Sequence, residues 1–220
     1  MILIFDLDDT LYDEQAYVLS GLGAVAKFGH ERFGWNPVES FDYMQGVLNA
    51  SGRGAIFDSW LASHGKCTRS LVKECVKVYR HHVPSLQMTP GVEDLLERLS
   101  LKYPLYVVTD GHKVVQYNKV EALGISRFFR KIFITHRYGI RNAKPSIYCF
   151  DLIRRREGCE WEDMVYIGDN PAKDFVNLNP LGVLTIRVNT GVYHNVVAKP
   201  GYDGKATLER LDLLDTVISL

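Results

Sequence analysis

Residues 1–10 read MILIFDLDDT: an unbroken apolar run, Met1 to Phe5, that passes straight into Asp6, Asp8 and Asp9. A short apolar run closed by turn-forming polar residues fits a strand buried on both faces, the kind that builds parallel sheets. The same signature recurs at Leu105–Val108, closed by Thr109, and at Lys131–Thr135. It returns at Met164–Ile167, followed by Gly168 and Asp169, and at Val183–Val188. Helical periods lie between these runs. Residues 92–101 carry apolar side chains at Val92, Leu95, Leu96 and Leu99 after a Thr89-Pro90-Gly91 start. Residues 114–123 end at Gly124, a natural helix stop. Residues 147–156 follow Pro145-Ser146, where Ser146 can cap, and residues 172–178 follow Asn170-Pro171. Strand and helix in alternation predict right-handed crossovers and an α/β fold, a doubly wound parallel sheet of about five or six strands.

Residues 13–86 break this rhythm. They read as helices at 15–33, 37–50, 55–64 and 70–83, with no clear strand. The organisation expected is therefore a catalytic core from residues 1–12 and 87–220, with a helical insertion, 13–86, after the first strand. Tyr12, Tyr17, Phe28, Phe33 and Trp35 are expected to fill the core of that insertion.

Composition narrows the partners. With 26 basic and 26 acidic residues the formal charge is zero, so nucleic acid is not the expected partner. The four cysteines form no CxxC pair and have no metal-ligand spacing, so they read as free thiols in a reducing compartment. The five-residue apolar run is too short for a signal peptide, and no segment approaches the ~20 apolar residues of a membrane span. A cytoplasmic protein without membrane contact is expected. The pattern leaves the oligomeric state open.

In open parallel sheets, ligands bind beyond the carboxyl ends of the strands. That rule gathers Asp6 and Asp8 after the first run, Thr109 and Asp110 after the second, and Asp169 with Asp174 after the fourth. Lys144 joins from the loop after the third. So many carboxylates in one place repel, and a divalent cation relieves the conflict; hard oxygen ligands favour Mg²⁺. A lysine, a hydroxyl and backbone N–H groups suit phosphoryl oxygens. Together these parts describe phosphoryl transfer.

In the same order, Asp6-Leu7-Asp8-Asp9-Thr10, Thr109-Asp110-Gly111, Lys144-Pro145 and Gly168-Asp169-Asn170-Pro171-Ala172-Lys173-Asp174 resemble the four motifs of the haloacid dehalogenase-like hydrolase superfamily. The helical insertion is similar to the cap that superfamily places after its first motif. The resemblance implies a branch acting on nucleotide or sugar phosphates. It implies that Asp6 attacks phosphorus, forming an aspartyl-phosphate, and that Asp8 is general acid and then base. Asp8 would have to arrive protonated, which crowding by like charges would favour. Thr109, Lys144 and the backbone N–H of Asp110 would hold the phosphoryl group. Asp6, Asp8 through its carbonyl, and Asp169 would hold Mg²⁺, while Asp174 would ligate through water or orient Lys144. The partner implied is a small phosphorylated metabolite. A phosphomutase or a dehalogenase of the same superfamily, or a non-catalytic receiver-like protein, are the rival readings.

Several nearby residues have plainer expectations. Asp9 is expected to be solvated or to cap a helix, and Thr10 to stabilise its loop by a hydrogen bond. Lys173 is expected on a solvated helix face. The structural alternative for Asp174 is an ion pair with Lys173 or Arg187.

Overall fold

The structure is a computed structural model and describes residues 1–218. The chain divides into two compact units, residues 1–14 with 87–220, and residues 15–86. Six strands form one sheet: β1 (Ile2–Phe5), β2 (Leu105–Thr109), β3 (Lys131–Ile134), β4 (Met164–Gly168), β5 (Leu184–Val188) and β6 (Ala206–Leu208). Their order is β3-β2-β1-β4-β5-β6, every neighbouring pair parallel. The apolar runs are the central strands because a strand with sheet on both edges and helices on both faces has no water to meet. β1, β2 and β4 are accordingly buried at every residue.

Side chains alternate across the sheet. Ile2 and Ile4 join Tyr106, Val108, Met164 and Tyr166 in one cluster, against Phe150 and Ile153 of α7 (Tyr148–Glu157). Phe5 points to the other face and meets the Phe129 ring edge-on. That unit also holds α5 (Val92–Ser100) and α6 (Lys113–Leu123), the latter stopped by Gly124 in the left-handed conformation. The register sets the site. Phe5 lies opposite both Val107 and Ile167, so the residues after all three strands emerge at one end of the sheet.

Residues 15–86 contain most of α1 (Glu14–Phe33), with α2 (Pro37–Ser51), α3 (Ile56–Ser63) and α4 (Arg69–His81). Asn36 and Thr68 accept N–H groups at the starts of α2 and α4. Their core centres on Trp60, with Leu22, Val25, Met44, Leu61 and Cys75 around it. Gly29 lies where a Cβ would sit 2.7 Å from the Trp60 ring, so the indole packs directly on the α1 backbone. Tyr12 is not part of this core; it belongs to the other unit. No helix among the described residues is long and apolar enough to cross a membrane.

One expected helix does not form. Residues 172–178 are a chain of turns: the N–H groups of Lys173 and Asp174 both reach the Asn170 carbonyl, and those of Leu178 and Asn179 both reach that of Phe175. The cause is competition from polar side chains. The Asn170 side chain takes the Ala172 N–H, and the Asp174 carboxylate takes the Asn170 N–H, so the chain folds around Asp174 rather than running on as a helix.

Candidate active site

Asp6 is the first residue past β1, and its N–H still donates to the Ile167 carbonyl at 2.8 Å, extending the β1–β4 ladder. That bond fixes the backbone from which its buried side chain leaves. The Lys144 ammonium lies 2.9 Å from Asp6 Oδ1 and 2.8 Å from Asp174 Oδ1. It also donates to the Tyr166 hydroxyl at 2.9 Å, and that hydroxyl donates to Asp174 Oδ1 at 3.1 Å. Gly168 makes room for this cluster, since a Cβ there would sit 2.6 Å from Asp174 Oδ2.

Carboxylate oxygens of Asp6, Asp169 and Asp174 all lie within 4.8 Å of one another, and all three residues are buried. Burial pushes Asp6 up to about 6; the Lys144 charge opposes this and Asp174 adds to it. Burial, with the charges of Asp6 and Asp174, pushes Asp169 up to about 9. Lys144 is held well above the usual lysine value, because the acids outweigh its burial. Asp169 has no hydrogen-bond or ion-pair partner among the described residues. Three buried carboxyl groups crowd around the Lys144 ammonium, and the Asp169 carboxyl among them has no donor. That donor set fits a hard divalent cation.

Asp8 occupies a different environment. Its Oδ1 accepts from the Tyr12 hydroxyl at 2.6 Å and from Lys119 at 2.7 Å, and its Oδ2 accepts from Gln116 at 2.8 Å. Lys119 also donates to Glu14 at 3.2 Å. Burial alone would raise the Asp8 carboxyl. The charge and hydrogen bond of Lys119, with the bonds from Tyr12 and Gln116, instead hold it below the usual carboxylate range. This corrects the expectation that crowding protonates Asp8: its nearest neighbours are donors, not acids. The Asp8 carboxylate also lies outside the three-carboxylate cluster.

Thr109 is fully buried, and its Oγ1 accepts from Gln116 at 2.6 Å. Asp110 ties three loops together through its side chain. It accepts from the Thr135 hydroxyl at 2.7 Å and the Lys144 N–H at 3.1 Å, and lies 3.5 Å from the Lys173 ammonium. Burial works against its ionisation, but the charges of Lys144 and Lys173 and the two hydrogen bonds keep it low.

The plainer expectations resolve as follows. Asp9 is buried rather than solvated; at φ 53° its carboxylate accepts the N–H of Glu14, the first residue of α1, and that of Val192. Thr10 does not bond its loop: its hydroxyl is buried with no hydrogen-bond partner among the described residues. Lys173 sits in a turn, beside Asp110, rather than on a solvated helix. Asp174 pairs with Lys144, whereas Arg187 pairs with Asp203.

Gln116, Lys119 and Tyr166 were not anticipated. Gln116, Lys119, Val120 and Leu123 are the buried positions of α6, spaced as one inward stripe. Two polar residues in an otherwise apolar stripe were the available signal. Tyr166, inside the β4 run, gave none.

Comparison with known proteins places the chain among relatives. The family profile described as haloacid dehalogenase-like hydrolase matches residues 3–188. Glyceraldehyde 3-phosphate phosphatase from Methanocaldococcus jannaschii is 28% identical over 201 residues, covering 88% of this chain and 87% of its own. Pyrimidine 5′-nucleotidase PynA from Streptococcus pneumoniae is 29% identical over 132 residues, 59% of this chain and 55% of its own. Among solved structures, the HAD-hydrolase YfnB from Bacillus subtilis, bound to magnesium, matches with a TM-score of 0.71 at 20% identity, covering 100% of this chain and 98% of that one.

Proposed function

The chain belongs to the haloacid dehalogenase-like hydrolase family, and from that premise we propose that it is a magnesium-dependent phosphatase of small phosphorylated metabolites that works through an aspartyl-phosphate on Asp6. The observation that carries this reading is the buried Asp6 carboxylate, held by Lys144 beside the carboxylates of Asp169 and Asp174. The two relatives above are named for glyceraldehyde 3-phosphate and for pyrimidine 5′-nucleotides, which supports small phosphomonoesters as the substrate class. Both the substrate class and the four free thiols suit a reducing cytoplasm. The helical unit of residues 15–86 carries substrate selection in this reading.

Asp6, Asp169 and the Asp8 carbonyl would hold the Mg²⁺ ion. Asp174 has both oxygens engaged, by Lys144 and Tyr166 on one and by the Asn170 N–H on the other, so it orients Lys144 rather than ligating. When bound, the ion would neutralise the carboxylates and the phosphoryl oxygens that must approach them.

An Asp6 oxygen attacks phosphorus while Lys144 holds the carboxylate by Oδ1. The bond from phosphorus to the ester oxygen breaks, its electron pair stays with that oxygen, and Asp8 supplies the proton that completes the alcohol. Asp8 is ionised in the free protein. The proton therefore enters with the substrate monoanion, a phosphomonoester having its second pKa near ~6. Water then attacks the aspartyl-phosphate and gives a proton to Asp8. The bond from phosphorus to Asp6 breaks, phosphate leaves with the proton held by Asp8, and the Asp6 and Asp8 carboxylates are regenerated. The Thr109 hydroxyl donates to a phosphoryl oxygen through the hydrogen that its bond from Gln116 leaves unused.

Phosphate release from p-nitrophenyl phosphate with Mg²⁺, then from a panel of phosphorylated metabolites, tests the reading. Asp6→Asn should lower kcat by several orders of magnitude, as loss of a covalent nucleophile does. Full activity in Asp6→Asn overturns the mechanism.

A further inference from the structure

Gln116 lies on α6, is 1% exposed, and bonds both polar strand-end residues that handle protons and phosphoryl oxygens in the reading above. Its Nε2 donates to Asp8 Oδ2 at 2.8 Å and to Thr109 Oγ1 at 2.6 Å. An amide nitrogen has two hydrogens, and both are used. The amide's orientation follows from chemistry, because an ionised carboxylate only accepts and the nitrogen must face Asp8. Space for this amide comes from Gly111, at φ 138°, where a Cβ would sit 3.0 Å from the Gln116 Cδ.

The two oxygens of Asp8 are not equivalent. Oδ1 accepts from Tyr12 and Lys119, which fill its two lone pairs with donors. Among the described residues Oδ2 accepts from Gln116 alone, which leaves one lone pair for a proton in transit. Thr109 is shaped by the same amide. Its oxygen accepts from Gln116, so its own hydrogen is left to donate.

We propose that Gln116 is a positioning residue that joins the two halves of the reaction: it selects Oδ2 as the Asp8 oxygen that exchanges the proton with the leaving group, and it sets the Thr109 hydroxyl as a donor to the phosphoryl group. This inference rests on the reading of Asp8 as the group that serves the leaving oxygen.

The test is a leaving-group series on the full chain with saturating Mg²⁺, from p-nitrophenyl phosphate to simple alkyl phosphates, in wild type, Asp8→Asn, Gln116→Met and Gln116→Glu. A poor leaving group needs the proton and a good one does not. Gln116→Met keeps the side-chain volume and removes both donors. It should lower kcat for alkyl phosphates by about 10²-fold, the low end for general acid–base catalysis, and for p-nitrophenyl phosphate by less than about threefold. KM should change much less than kcat. Gln116→Glu, of the same shape but without the two donors when ionised, should reproduce this dependence if Gln116→Met proves unstable. An equal loss across the series, or no loss, in a folded Gln116 variant while Asp8→Asn shows the dependence overturns the role of Gln116 alone. A wild type that releases no phosphate from any ester, or an active Asp6→Asn, overturns the underlying function instead.

Discussion

Replacing Lys144 by methionine isolates the charge that holds the carboxylate cluster together. The Lys144 side chain is 1% exposed and contacts Asp6 and Asp174 at 2.9 and 2.8 Å. Methionine keeps most of the apolar stem, so the change removes charge rather than volume. Breaking a buried ion pair from one side costs about 3–5 kcal/mol, because the remaining charges lose their counter-ion in a place water does not reach. Here Asp6 and Asp174 both lose that partner. For a chain of this length 1 kcal/mol shifts Tm by about 2–4 °C, so metal-free Lys144→Met should melt roughly 6–20 °C below wild type at pH 7.5. Circular dichroism melts with EDTA at pH 7.5 and pH 5 measure it. The difference should shrink at pH 5, where Asp6, pushed up to about 6, takes up a proton and no longer needs the ammonium. A loss below about 1 kcal/mol at pH 7.5, or one equal at both pH values, would refute the argument that Lys144 serves mainly as the counter-ion of the cluster.

Metal-free wild type should itself lose stability with rising pH. Asp6 and Asp169 have native values of about 6 and about 9 against an ordinary 3.8. Between those limits the native state binds more protons than the unfolded one, so stability falls as pH rises from about 4, first through the Asp6 window and on towards that of Asp169. Added Mg²⁺ should therefore raise Tm more at pH 8.5 than at pH 5, and an equal increment would contradict the linkage. Lys173→Met should raise KM for phosphomonoesters by about tenfold, about 1.4 kcal/mol, with Tm nearly unchanged. The three hydrogens of Lys144 already serve Asp6, Asp174 and Tyr166, whereas Lys173 is 31% exposed and makes one long 3.5 Å contact to Asp110. An unchanged KM and unchanged inhibition by inorganic phosphate would remove Lys173 from substrate binding.

The sheet was legible because the information is local. The runs at 1–5, 105–108 and 164–167 bury both faces of their strands, and each shows this in a handful of consecutive residues. The polar residues at their ends were legible for the same reason, since a parallel sheet delivers every strand end to one side. What escaped depends on distant partners. Asp8 meets Lys119 and Gln116, which lie 111 and 108 residues along the chain, so its ionisation could not be inferred from the acids beside it. The same holds for Lys173, whose place is set by Asp110, 63 residues away. Residues 172–178 misled for a different reason. Their apolar spacing suits a helix, but the chain closes into separate turns on the Asn170 and Phe175 carbonyls, with the Asp174 carboxylate folded back onto the Asn170 N–H.

Asp6 and Asp8 stand two residues apart, yet their environments push them in opposite directions, as the separate roles proposed for them require. Around Asp6 the balance is acid-rich: two further carboxylates, one fixed ammonium and an Asp169 without a donor. In the proposed reading a cation bound there would draw protons from Asp169 and Asp6 and would leave Asp6 ionised, as the proposed nucleophile must be. Around Asp8 the balance is already closed by an ammonium, a phenol and an amide, all donating. A cation arriving next to Asp6 changes little there, and Asp8 remains a carboxylate whose remaining lone pair on Oδ2 can take and return one proton. Pairs of carboxyl groups whose surroundings separate their proton affinities divide the labour of catalysis. In this chain the separation comes from α6, an element that carries none of the four motifs' carboxylates. In the proposed reading the residues between Thr109 and Gly124 therefore serve the reaction alongside the strand ends.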